Sequence, residues 1–265
     1  MTHREPAVCG QFYPADKEVL KETLEELFKG VNFEDKAHEA IVPHAGYRYS
    51  GKTAAKTVAL LKKNKTFVVL SPNHTGIGCD IAISESNTWV TPLGNIRVNS
   101  NLAQKIAKSG IAEFDDSAHI AEHSIEVILP FLQYRFGAID VVPITIATTD
   151  FNILKKFGLA LSEISKKERF ALIASSDFSH FVPEKYAKEK DLSAIRFIEK
   201  LDAKGFYDEV MGKNLSICGL APITSLLEYC KNVNRKKGLL VEYTTSARAT
   251  GDKSNVVGYA GIIFI

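Results

Sequence analysis

Short apolar runs alternate with helix-period segments along most of this chain, and that alternation restricts the fold more than any other feature. Ala40-Ile41-Val42, Phe67-Val68-Val69-Leu70 and Phe170-Ala171-Leu172-Ile173-Ala174 read as strands. The last is apolar throughout, as expected for a strand covered on both faces. A helix is expected over 16–30, where Val19, Leu20, Leu24, Leu27 and Phe28 form one face between Asp16 as N-cap and Gly30 as C-cap. Further helices are expected at about 51–63, 100–110, 122–136, 151–166, 184–200, 203–211 and 220–231, and strands at about 139–144, 239–244 and 256–264. The segment 80–98 reads as a strand pair or an extended excursion. The expected architecture is α/β: a single three-layer domain over residues 1–265, with a central, mostly parallel sheet and helices on both faces. No Pro/Gly/Ser-rich linker or repeat divides it.

Composition removes several classes of function. The net charge is only +2 and the lysines are dispersed, so there is no basic patch for nucleic acid. No apolar run approaches a membrane span and the first residues carry no export signal, so a cytoplasmic location away from membranes is expected. Cys9, Cys79, Cys218 and Cys230 are widely spaced without a CxxC pair, which argues against a disulfide framework and a zinc ribbon. Cys218 precedes Gly219 and a helix. It is either a low-pKa thiol at a helix N-terminus or, the favoured reading, a buried structural cysteine.

Three of the seven histidines follow apolar runs: His44 after Ala40-Val42, His74 after Phe67-Leu70 and His180 after Phe170-Ala174. In an open α/β sheet the carboxyl ends of parallel strands share one edge, and ligands bind in the crevice there. His44, His74 and His180 are therefore the candidate metal ligands, since imidazoles that leave positions open make a catalytic type of site. A purely local reading makes each a loop residue bonded to its own backbone. Asp177, three residues before His180, is a candidate ligand, orienting group or proton acceptor, with an Asx turn as the local alternative. In His119-Ile-Ala-Glu122-His123-Ser124-Ile125-Glu126, the helix expected at 122–136 makes Glu122/Glu126 and His119/His123 i,i+4 pairs. The order is not HExxH, and His123 is favoured as a general acid or a support for the ligands, ahead of a capping box.

These residues bear a resemblance to the Memo family. It runs through Ala7-Val8-Cys9-Gly10-Gln11-Phe12-Tyr13-Pro14, Val42-Pro43-His44-Ala45-Gly46-Tyr47, Ser71-Pro72-Asn73-His74, Glu122-His123-Ser124-Ile125-Glu126 and Ser175-Ser176-Asp177-Phe178-Ser179-His180. Ile217-Cys218-Gly219 and Gly258-Tyr259-Ala260-Gly261 complete it. The resemblance implies a fold like class III extradiol ring-cleaving dioxygenases, with a pocket at their non-heme iron site that includes His44, His74, His180 and Asp177. Some members add a cysteine ligand near the last strands; that position aligns here with Ala249. Loss of the thiolate favours iron or zinc over copper among divalent transition metals. The resemblance also implies AMMECR-type and radical SAM partners.

The expected function is a metal-dependent, dioxygenase-like oxidoreductase acting on a small molecule. One alternative is a module that binds a peptide or phosphopeptide, favoured by Arg48 between Tyr47 and Tyr49. Another is a metal-dependent hydrolase. Three neutral imidazoles without an anionic ligand also predict poor cleavage of simple catechols.

Overall fold

A computed structural model describes residues 2–265. The elements run β1 (His3–Arg4), α1 (Lys17–Phe28), β2 (Glu39–Val42), α2 (Tyr47–Val58), β3 (Thr66–Pro72), β4 (Ile81–Ile83), β5 (Thr88–Trp89), β6 (Ile96–Val98), α3 (Ser100–Ala107) and β7 (Glu113–Phe114). They continue with α4 (Leu129–Phe136), β8 (Asp140–Ile146), α5 (Phe151–Ser165), β9 (Ala171–Ser175), β10 (His180–Val182), α6 (Glu184–Glu199), α7 (Ala203–Gly212), α8 (Leu220–Asn232), β11 (Gly238–Thr245), α9 (Ala247–Thr250) and β12 (Val256–Phe264).

The sheet order is β1-β5-β6-β8-β3-β9-β2-β12-β10, with β11 beside β12 and β4 beside β8. β6, β8, β3, β9 and β2 are mutually parallel, and β10, β11 and β12 close one side in antiparallel pairs. Side chains along the central strands alternate between two cores, as the two-residue period of a strand requires. Ala40, Val42, Phe67, Val69, Ala171 and Ile173 pack with α1, α2 and α4. Ile41, Val68, Leu70, Leu172 and Ala174 pack on the opposite face with α3 and α5 through α8. Helices therefore cover both faces of a mostly parallel sheet, the three-layer α/β arrangement expected from the apolar runs.

Two local differences bear on the site. The segment 80–98 resolves into the short strands β4, β5 and β6. The helix expected over 122–136 begins only at Leu129, with Pro130 in its first turn. Before it, the chain runs through turns, because the Glu122 carboxylate accepts the amides of His123 and Ser124 and offers the backbone an alternative to helix. The i,i+4 pairing of Glu122/Glu126 and His119/His123 is accordingly absent.

Glycine sets one contact that places the site. Gly158 of α5 lies against α8, where an added Cβ would come 2.4 Å from the Ser225 carbonyl oxygen. Backbone cannot yield as a flexible side chain does. Gly158→Ala is expected to lower stability by about 1–3 kcal/mol, the usual range for overpacking. A urea unfolding curve checks this as a lowered midpoint with native far-UV circular dichroism retained before the transition.

Candidate metal centre

The register of β2, β9 and β3 aligns Val42 with Ser175 and Leu70 with Ala174, so the three strand ends open onto one edge. His44 follows β2 and is 2% exposed. Its Nδ1 lies 2.7 Å from the Ser175 hydroxyl, which itself donates to the Ser124 carbonyl at 2.8 Å. A hydroxyl has one proton, so Nδ1–H of His44 must donate and Nε2 is left with its lone pair. Burial holds the His44 imidazolium well below the ordinary histidine range, reinforced by the charges of His74 and His123. The ring is a neutral donor ready for a cation.

His74 follows β3. Glu122 Oε1 lies 3.0 Å from its Nδ1, and Oε2 accepts its main-chain N–H at 2.6 Å. The same carboxylate accepts the amides of His123 and Ser124 and the Ser124 hydroxyl. Burial alone would raise Glu122, but the hydrogen bond and charge of His74 with the other donors pull it well below the usual carboxylate range. Burial likewise opposes the His74 charge, and Glu122 outweighs it, leaving His74 raised. Glu122 is thus fully engaged as an orienting carboxylate, and His74 Nε2 remains available.

His123 stacks on His74 at 4.8 Å between ring centroids and meets His44 edge-on at 5.6 Å. Phe12 covers its other side at 4.9 Å. Burial lowers its pKa. Asp177 lies across from His44, accepting its main-chain N–H on Oδ1 at 2.9 Å while Oδ2 stands 4.0 Å from Nε2. Burial raises the Asp177 carboxyl to about 6, against the bond from His44.

The ligand atoms of His44, His74 and Cys218 all lie within 4.8 Å of one another. Metal bonds of about 2.0–2.3 Å set donor separations of about 3–4 Å, so this group fits one divalent ion after small side-chain adjustments. Cys218 Sγ is 3.4 Å from His44 Nε2, receives the Asp177 amide at 3.2 Å and precedes α8. Burial pushes this thiol up, so without a cation it stays protonated. The close approach depends on Gly219, where a Cβ would meet the Ser176 side chain at 2.2 Å. A second group, His74 with Glu122 and His123, also falls within 4.8 Å, but there the hydrogen bonds already saturate Glu122.

Among the sequence-predicted residues, His44, His74, His123 and Asp177 come together. His180 stands outside the compact donor groups: it begins β10, with its amide bonded to the Ser216 hydroxyl at 2.8 Å and Nδ1 to the Ser216 carbonyl at 2.7 Å. Cys218 is a further candidate donor, at a position that the sequence favours reading as a buried structural cysteine over a low-pKa thiol. Its signal was the Ile217-Cys218-Gly219 turn ahead of a helix. Ala249 lines a small hollow with Arg48, Tyr49 and Arg248.

A strap holds these loops from the N-terminus. Arg4 is ion-paired with buried Glu126 and donates to the carbonyls of His119 and Glu122. Glu126 also accepts the amides of Ala7 and Val8 and the Tyr13 hydroxyl, which seats Phe12 on His123.

Fold and site define an α/β protein with imidazole and thiol donors gathered at the carboxyl edge of its parallel strands. The model of the family described as Memo-like protein matches residues 4–263, and the chain belongs to that family. A MEMO1 family protein of Aquifex aeolicus is 40% identical over 268 residues, covering 100% of both chains. One of Methanosarcina acetivorans is 42% identical over 267 residues, covering 99% of each. An uncharacterized protein from Escherichia coli K12 shares the fold at a TM-score of 0.60 and 12% identity, over 85% of this chain and 98% of that one. Among the described residues, no helix is long and apolar enough to cross a membrane.

Glu122→Gln would turn an amide NH2 toward N–H donors and remove the charge that holds His74. The metal-free variant is expected to lose about 2–4 kcal/mol of stability. Because Glu122 is depressed, its contribution is present above the ordinary carboxylate range and lost as pH falls below it. Because His74 is raised, its share is present below about 6.5 and lost as pH rises through the raised value. Denaturant titrations at several pH values should show the largest gap between wild type and variant at about pH 5–6. A gap that is constant with pH would contradict the pairing.

Proposed function

We propose that this chain is a divalent-metal protein whose ligands are His44, His74 and Cys218, and that it carries out non-heme, dioxygenase-like oxidoreductase chemistry on a small molecule. The observation that carries the reading is the convergence of those three donors within 4.8 Å, with both imidazole tautomers set by partners on the far nitrogen. With Cys218 as a thiolate ligand copper is no longer disfavoured, so iron(II), zinc and copper all suit two imidazoles and one thiolate, and iron or copper would supply redox chemistry if bound there. Cys218 brings the anionic ligand that three neutral histidines lack, so the charge argument against catechol cleavage no longer holds.

The chain's own residues divide the remaining work. Asp177 Oδ1 is occupied by the His44 amide, which leaves Oδ2 to hold or release a proton beside the centre. In the metal-free chain burial raises this carboxyl, and its place opposite His44 Nε2 supports a proton-handling role beside the centre. His123, whose charged form burial disfavours, flanks the donors together with Phe12. The same Asp177 favours a second reading, metal-assisted hydrolysis, in which it accepts a proton from water.

Anaerobic titration calorimetry with iron(II) and with zinc tests the assignment. One metal per chain is expected, with affinity reduced at least about 100-fold in His44→Ala, His74→Ala and Cys218→Ser and little changed in His180→Ala. Failure of wild type to bind either metal at stoichiometry would overturn it. Oxygen uptake by the iron form with catechol, lost in Asp177→Asn, selects the oxidoreductase reading; zinc-dependent cleavage of an activated ester without oxygen uptake selects hydrolysis.

A further inference from the structure

A cationic hollow lies beside the metal centre, between the first turns of α2 and the short helix α9. It measures about 200 Å³, and Arg48, Tyr49 and Lys52 form one wall while Arg248 and Ala249 form the other. Arg48 holds its guanidinium 5.9 Å over the Tyr49 ring, and among the described residues no carboxylate pairs with it. Lys52 Nζ donates to the Lys29 carbonyl at 2.7 Å, which satisfies a hydrogen but leaves the charge uncompensated. Arg248 reaches Glu242 at 3.2 Å, yet that carboxylate is already shared with Lys56 and Thr53. Glu26, in the adjoining hollow, is paired with Lys29. The balance around the cavity is therefore strongly positive.

Two further features add to it. Gly46 gives α2 no side-chain cap, so the positive end of the helix dipole remains at the Arg48 end. The hollow is also near the candidate centre along the chain: α2 starts three residues after His44, and Arg48 and Tyr49 stand in its first turn.

We infer that this hollow binds the oxyanion end, carboxylate or phosphate, of a small-molecule substrate whose opposite end reaches the metal centre. Guanidinium groups recognise such ends through paired N–H donors, and Tyr49 supplies an apolar face for the carbon next to the anion. The inference rests on the metal-centre reading for its reactive end and on the hollow alone for its anion.

Titrations of the full chain with inorganic phosphate, succinate and a phosphotyrosine peptide, each with and without zinc, test it by calorimetry or ¹⁵N–¹H shift mapping. Phosphate or succinate is expected to bind wild type, to shift the amides of Arg48 and Ala249, and to bind at least about 10-fold more weakly to Arg48→Gln/Arg248→Gln, whose zinc affinity is unchanged. Anion binding equal in variant and wild type, or no binding of either small anion at millimolar concentration, would overturn the inference. Binding of the peptide alone would also overturn it and assign the surface to a protein partner. Loss of anion binding in the double variant of a protein that takes no metal would sustain the anion site while refuting the metal centre, so the two failures are separable.

Discussion

A single buried carboxylate, Glu122, fixes the geometry on which the candidate centre depends. It grips His74 through both the ring and the main chain, and it folds the loop after it by accepting the His123 and Ser124 amides. An ionised carboxylate is tolerated away from water only when such donors surround it. Its presence therefore commits the surrounding residues to one arrangement. Glu126 repeats the device four residues later, binding Arg4 and the amides of Ala7 and Val8 so that the N-terminal segment closes over the same loop.

The sheet supplies the other half of the arrangement. Parallel strands in register bring the chain out at one edge three times, at His44, at His74 and at the Ser175–Asp177 exit. Ser175, the last residue of β9, turns this alignment into chemistry, because its hydroxyl is committed to the Ser124 carbonyl and so dictates which nitrogen of His44 carries the proton. A strand end, a loop carbonyl and a ligand tautomer are thereby linked.

Much of this was legible in the sequence, and the exceptions have physical causes. The central strands announce themselves as apolar runs because both of their faces are covered, and the histidines just past two of those runs fall at the site for the same reason. Asp16 caps α1 as its position suggests, accepting the amides of Glu18 and Val19. Of the helix expected over 122–136 only Leu129–Phe136 forms, because side-chain to main-chain bonds from Glu122 outcompete helix ahead of Pro130, a contest that periodicity does not register. Cys218 joins the donors only through tertiary packing of the Gly219 turn on Ser176. His180 sits past a longer exit loop, in an antiparallel edge strand whose ring is tied to Ser216, so strand-end logic does not carry it into the compact group.

The central claim is that one thiolate and two imidazoles hold the same ion, and X-ray absorption spectroscopy of the zinc-loaded protein addresses it most directly. A sulfur scatterer at about 2.3 Å beside nitrogen scatterers at about 2.0 Å is predicted in wild type, with the sulfur shell lost in Cys218→Ser. A shell made only of nitrogen and oxygen in wild type would contradict the account.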